Sequence, residues 1–269
     1  MSLWVLRGLR DGVVTTRWPK RPDQYADNWR GPAFVHDPNP PVTAGLTDLC
    51  PTQAISVSDA ARRDAVRLDQ GRCILCGQCV AARPDVFGWS AGATGRTAGA
   101  LIRDQLIVPE APETVEQIDA VRAGLRRRTA ALRRSVHIRH VDAGSDGSEE
   151  WEILALLGPV YDVHRLGIFF TPSPRHADIL LVTGAGSDGM AGPLRETYDG
   201  MPDPKVVVAV GTDAVSGGLL GQGEVTYGGI SGIVPVDIWV PGSPPSPFGI
   251  LSALLMAVGR LGDTAEETR

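Results

Sequence analysis

Three segments in the C-terminal half are apolar and β-branched: Val136-His137-Ile138-Arg139-His140-Val141, Asp178-Ile179-Leu180-Leu181-Val182-Thr183 and Lys205-Val206-Val207-Val208-Ala209-Val210. Such runs predict buried parallel strands. Each runs into a glycine-containing loop: Asp142-Ala143-Gly144-Ser145, Gly184-Ala185-Gly186 and Gly211-Thr212-Asp213. Helical segments lie between them. The pattern predicts an α/β domain with a doubly wound, flavodoxin-like parallel sheet, whose ligand crevice lies at the carboxyl ends of the strands. Upstream, Val115, Ile118, Val121, Leu125 and Leu132 recur near the 3.6-residue period and predict a helix within residues 113–135. Shorter strand-like runs, Ala54-Ile55-Ser56-Val57 and Leu106-Ile107-Val108, flank turns.

These patterns divide the 269-residue chain. Residues 1–45, rich in Pro, Asp, Arg and Trp with little periodicity, read as an extended arm that lies on something. Residues 46–112 form a small cysteine-containing domain, and 113–135 a linking Arg-rich helix. Residues 136–262 form the α/β domain, and 263–269 a polar, frayed tail. The 32 glycines and 21 prolines make about a fifth of the chain, above the usual ~12%. That favours a chain wrapping cofactors or partners over a helical bundle.

Net charge is −5, so no overall electrostatic case exists for nucleic acid. Arg122, Arg126, Arg127, Arg128, Arg133, Arg134 and Arg139 follow one another with no acid after Asp119. They form either a solvated face or a dock for an acidic subunit or anionic lipid heads. No run reaches the ~18 apolar residues of a membrane span, and the best, Phe248 to Val258, is too short. The first ten residues lack a convincing cleavage site, so the expected place is the cytoplasm.

All four cysteines lie in the small domain: Cys73-Ile74-Leu75-Cys76-Gly77-Gln78-Cys79, with Cys50-Pro51 upstream. In a reducing compartment they are metal ligands before they are disulfides. Three cysteines on one tight turn suit three corners of an iron–sulfur cube, and a Cys-Pro pair is the usual donor of the fourth. Zinc is the competing reading, but zinc ribbons use two separated Cys-x-x-Cys pairs. Free thiols are the third. The pattern resembles bacterial two-cluster ferredoxins, with Arg83-Pro84 where a Cys-Pro is expected. In the first motif copy only Cys50 survives, the others being Pro40, Thr43 and Leu46. The surviving four make one whole 4Fe-4S cluster, and the missing four are the other.

The arm, with Gly12-Val13-Val14-Thr15-Thr16, Trp18-Pro19 and Trp29-Arg30-Gly31, resembles the ferredoxin subunit of formate hydrogenlyase. Residues 137–250 resemble the small subunit of group 4 membrane-bound hydrogenases and formate hydrogenlyase, similar to the 20-kDa-class subunit of complex I. The matching blocks include Val141-Asp142-Ala143-Gly144-Ser145, Pro174-Arg175-His176-Ala177-Asp178, Tyr198-Asp199-Gly200-Met201-Pro202, Gly211-Thr212-Asp213-Ala214 and Pro241-Gly242-Ser243-Pro244-Pro245. The resemblance implies a natural fusion of two subunits. It also implies a proximal 4Fe-4S site at Asp146, Glu149, Asp213 and Ser243, where none is cysteine. Carboxylates and serine are hard donors and poor ligands for an iron–sulfide cube, so the proximal cluster is expected to be absent.

Three converging carboxylates cannot all ionise without compensation. Pairing with Arg165 or Arg175, or hydration, is the favoured reading. A hard divalent cation and a shared proton with raised pKa compete with it. His164 and His176 are read as interface or capping residues, Tyr161 and Asp162 as packing and turn residues. Gly184-Ala185-Gly186-Ser187-Asp188-Gly189 fits a dinucleotide fingerprint formally, but it matches the small-subunit family's own turn. The resemblance implies an accessory or electron-transfer subunit with one 4Fe-4S cluster at Cys50, Cys73, Cys76 and Cys79, and no independent catalytic site. Its partners would be a hydrogenase large-subunit-like protein and membrane-embedded subunits, its membrane contact peripheral and on the cytoplasmic side. Alternatively, it passes electrons to a partner quinone, flavin or metal.

Overall fold

The protein is described from a computed structural model covering residues 3–21, 23, 29–58, 66–91, 98–109, 112–132 and 135–261. The sheet of the C-terminal half contains β6 (Val136–Asp142), β7 (Ile168–Phe170), β8 (Ile179–Thr183), β9 (Val206–Val210) and β10 (Ile238–Val240). Preceding them are β1 (Arg30–Val35), β2 (Ile55–Val57), β3 (Val66–Asp69), β4 (Phe87–Ala91) and β5 (Ile107–Val108). The helices are α1 (Leu3–Asp11), α2 (Gln78–Ala82), α3 (Pro112–Arg128), α4 (Ser148–Ala155), α5 (Asp188–Asp199), α6 (Gly211–Ser216) and α7 (Pro247–Ala257).

The large sheet runs β10-β9-β8-β6-β7, and all four of its pairings are parallel. Counted from β6 this is the 2-1-3-4-5 order of the flavodoxin-like fold, with its switch point between β6 and β8. β8 and β9 are buried along their whole length because helices cover both faces. Ile118 and Leu125 of α3, Ile153 of α4 and the body of α7 pack with Ile138, Ile179, Leu181 and Val208. Ala191 and Leu194 of α5 and Ala214 and Val215 of α6 pack with Val141, Leu180, Val182 and Val207.

The long apolar run that begins at Phe248 is α7, a helix buried on all sides and therefore enclosed in the domain. Ser246 caps it by accepting the Gly249 N–H at 3.1 Å, and Pro247 occupies the first turn, where its missing N–H has no cost. Among the described residues no helix is long and apolar enough to cross a membrane.

The cysteine domain has an antiparallel sheet β2-β3-β5 and an antiparallel pair β1-β4. Its core is Ala33, Leu46, Ile55, Val66, Leu68, Val86 and Phe87. Two boundaries differ from expectation. The arm is not extended throughout: it contains α1 and supplies β1. β1 is obscured in the sequence by Gly31-Pro32, and its pairing with β4 breaks register between Arg30 and Ala33. Residues 15–18 do lie along the large domain, where the Thr16 N–H donates to the Val160 carbonyl at 2.8 Å and Thr15 Oγ1 to the Pro159 carbonyl at 2.7 Å. The helix expected over 113–135 ends at Arg128, which pairs with Asp237 instead of standing free. Arg133, Arg134 and the tail from 262 lie outside the described residues.

The two halves are joined directly. Ala100 and Trp239 exchange both backbone hydrogen bonds at 2.8 Å, extending the large sheet's edge. Ser216 Oγ donates to the Gly71 carbonyl at 2.9 Å. Within the cysteine domain, Arg103 grips Asp69 with two nitrogens at 2.8 and 2.6 Å and so steadies the turn that Ser216 holds.

Candidate metal centre

The cysteines are placed by a chain that repeatedly reverses. Cys50 and Cys73 each end a 3-10 turn, at Thr47–Leu49 and Gln70–Arg72. After Cys73 the backbone enters the left-handed region at Leu75 (φ 58) and Gly77 (φ 77), curling it around before α2 carries Cys79. Gly77 meets this conformation without strain. Backbone donors face the sulfurs: Ala33 N–H to Cys73 Sγ at 3.5 Å and Ala54 N–H to Cys50 Sγ at 3.2 Å. The Leu75 and Val80 amides do the same for Cys73 and Cys79.

Burial raises the Cys73 thiol, and pushes the Cys79 thiol up to about 11, with Cys73, Cys50 and Cys76 adding charge repulsion. The four thiols share one neighbourhood, and it favours the protonated form of Cys73 and Cys79 until a cation arrives. The all-sulfur donor set and the amide donors facing it fit a four-iron cube better than one ion.

The second constellation lies at the carboxyl ends of the large sheet. Asp142 Oδ1 accepts the N–H groups of Gly144 (2.8 Å) and Ser145 (2.7 Å), turning the chain after β6 toward Asp146 and α4. Asp146, Glu149 of α4 and Asp213 of α6 bring carboxylate oxygens within 4.8 Å of one another. Ser243 follows Gly242, whose carbonyl accepts the Thr212 N–H at 2.7 Å, so its loop borders the same wall. Glu149 is only 1% exposed. Burial, then the charges of Asp213 and Asp146, push its carboxyl up to about 7. Burial and the charges of Asp146 and Glu150 also raise Asp213. Asp146 stays below its ordinary value because the Ser148 hydroxyl and N–H donate to it.

The arginine compensation expected for this trio is not found. Among the described residues no arginine forms an ion pair with it. Arg165 instead donates to the carbonyls of Tyr161 (3.2 Å) and Trp18, holding the arm. Tyr161 packs edge-on against Phe248 with ring centroids 5.1 Å apart, and Asp162 turns the chain at φ 43. His164 stacks on Phe169 and His176 ends a 3-10 turn.

The dinucleotide reading fails on space. A methyl group on Gly184 would lie 2.5 Å from Ser145 N, and one on Gly186 2.5 Å from the Gly229 carbonyl oxygen. These glycines admit neighbouring backbone, not a pyrophosphate. One network escapes sequence reasoning. His140 Nε2 lies 3.0 Å from Thr183 Oγ1, which donates to Glu150, and Ser145 Oγ donates to the other Glu150 oxygen at 2.9 Å. It closes the β6–β8 switch point.

Comparison with known proteins assigns both halves. Residues 147–257 match the family model "NADH ubiquinone oxidoreductase, 20 Kd subunit", and residues 66–121 match "4Fe-4S single cluster domain". A probable membrane-bound hydrogenase subunit of Pyrococcus furiosus is 40% identical over 128 residues, 48% of this chain and 77% of that one. The chain belongs to the 20 kDa subunit family. Formate hydrogenlyase subunit 7 of Escherichia coli is 39% identical over 159 residues, 59% of this chain, and the match spans 61% of that subunit's length. An NADH-quinone oxidoreductase subunit of Desulfovibrio desulfuricans is 43% identical over 104 residues, 39% of this chain and 56% of that one. The 20 kDa match takes in Glu149, Asp213 and Ser243; the single-cluster match takes in Cys73, Cys76 and Cys79, with Cys50 upstream of it.

Proposed function

We propose that the chain is an iron–sulfur subunit of a membrane-bound hydrogenase-like or complex-I-like assembly. It holds one 4Fe-4S cluster on Cys50, Cys73, Cys76 and Cys79, and its 20 kDa-type domain carries no proximal cluster. The observation that carries this reading is the separation of donors. Sulfur gathers with amide donors in the small domain, and oxygen gathers at Asp146, Glu149 and Asp213 in the large one. Soft thiolates suit an iron–sulfide cube and hard carboxylates do not.

When bound, the cluster supplies one-electron transfer. The chain's own residues orient it through backbone donors and cover it on one side with the apolar core at Leu46, Ile55 and Phe87. The relatives' names, a formate hydrogenlyase subunit and a probable membrane-bound hydrogenase subunit, support membrane-embedded partner subunits; a large-subunit-like partner and a peripheral place on the cytoplasmic face are part of the same proposal. Apolar side chains left exposed on α4, Trp151 and Leu154, support a role for the large domain as a packing hub. Iron and acid-labile sulfide counts on anaerobically purified full-length protein test the reading. About four of each per chain is expected. About eight of each, or one zinc with no sulfide, sinks it.

A further inference from the structure

One side chain outside the cysteine set stands against the cluster loop. Trp89 of β4 lies opposite Ala33 of β1, the residue whose N–H donates to Cys73 Sγ. Its six-membered ring rests on Gly77, between Cys76 and Cys79. A methyl group on Gly77 would meet Trp89 Cζ2 at 3.0 Å and Cη2 at 3.5 Å. The Arg30 guanidinium sits over the same ring, 4.7 Å from its centroid. Cys50, Cys73 and Cys79 back onto the apolar core, whereas Cys76 is the exposed one. The loop is thus enclosed on its inner side by the apolar core and flanked near its open side by an indole ring.

We propose that Trp89, held in place by Arg30, is a positioning residue that shields the cluster loop on its Cys76 side and sets how fast solvent species reach the metal. A cation over an indole face is attractive, so Arg30 restrains the ring against swinging into water. The apolar shell of a metal site governs solvent access. Gly77 allows the ring to approach because no Cβ stands between them.

The inference rests on the four-cysteine ligand set, and the experiment separates the two. Full-length wild type, Trp89→Ala, Trp89→Phe and Arg30→Gln are purified anaerobically, and iron and sulfide are counted first. An excess of EDTA is then added without oxygen, and the bleaching of the cluster's visible absorption is followed. Trp89→Ala is expected to load normally and bleach about tenfold faster than wild type. Trp89→Phe keeps a ring over Gly77 and should stay within about twofold of wild type, with Arg30→Gln between the two. A merely structural role would lower the loading or the melting temperature of Trp89→Ala and leave the bleaching rate of its loaded fraction unchanged. If Trp89→Ala fails to load, Trp89→Leu replaces it. Bleaching of the ring-less variant at the wild-type rate overturns the inference while leaving the ligand set standing. A wild type without iron overturns both.

Discussion

Thr212 Oγ1 donates to the Cys73 carbonyl at 3.0 Å, joining residues 139 apart in the chain. Thr212 is buried at 0% exposure, and its neighbours are Gly211, packed on the Glu149 carboxyl, and Asp213. The thiol loop and the oxygen-lined pocket therefore share one wall, a single residue thick. The 20 kDa-type scaffold grips the iron–sulfur domain beside the pocket that, on the proposed reading, has oxygen donors in place of proximal thiolates.

Replacing that hydroxyl should loosen the junction. Thr212→Val keeps the volume but leaves the Cys73 carbonyl without its donor, and Ser216→Ala does the same to Gly71. Each should cost about 1–2 kcal/mol in urea unfolding, since an unsatisfied buried acceptor costs more than a hydrogen bond's net worth. Because both anchor the same turn, the double variant should deviate from additivity. Strict additivity would show that the two bonds act separately.

Restoring sulfur tests the assignment of the degenerate pocket. Asp146→Cys, Glu149→Cys, Asp213→Cys and Ser243→Cys together place four thiols at the ends of β6, β9 and β10. After reconstitution the iron content should rise from about four to about eight per chain, with a second cluster signal in EPR. A folded quadruple variant with no second signal would mean that at least one of the four positions does not face the pocket.

Much of this architecture is legible in the sequence. β8 and β9 stand out because central parallel strands are apolar on both faces, β6 stands out by Val136, Ile138 and Val141, and their carboxyl-end loops locate the crevice. The cysteine spacing names its own chemistry. β7 and β10 are hidden because three residues carry no periodicity, and β1 because Gly31-Pro32 interrupts it and only β4 defines it. The Thr212–Cys73 bond and the Ala100–Trp239 pairing are contacts between distant segments, which no local pattern encodes. Charge alone suggests Arg165 as a partner for the carboxylates. It goes to two carbonyls instead, because the arm's path across the large domain is not written in any local pattern.

The pocket should make stability pH-dependent in a defined direction. Glu149 has a folded value near 7 against an ordinary 4.5, so folding favours its neutral form. That contribution is fully present below pH 4.5 and lost as pH rises through about 7, and the raised Asp213 acts in the same sense. Glu149→Gln never ionises. It should be more stable than wild type at pH 8 by about 2 kcal/mol, the advantage shrinking toward pH 5, as one pKa unit is about 1.4 kcal/mol. Equal urea midpoints at both pH values would show that the carboxyl is neutralised by another route.

The glycines after β8 give the last test, because two explanations for them predict different responses. If Gly184-Ala185-Gly186 cradled a pyrophosphate, an alanine would block ligand and leave the empty fold largely intact. The structure assigns them to backbone packing instead: Gly186 has φ 72 and its added methyl would lie 2.5 Å from the Gly229 carbonyl oxygen. Both ends of that contact are backbone, so no side chain can swing aside to relieve it. Gly186→Ala should therefore destabilise the protein by about 1–3 kcal/mol from the left-handed conformation alone, and further from the collision. NADH and ATP, added at millimolar concentration, should leave the melting temperature of the wild type unchanged. A variant as stable as wild type, or a wild type stabilised by either nucleotide, would return the loop to ligand binding, since a ligand that binds only the native state must raise its stability.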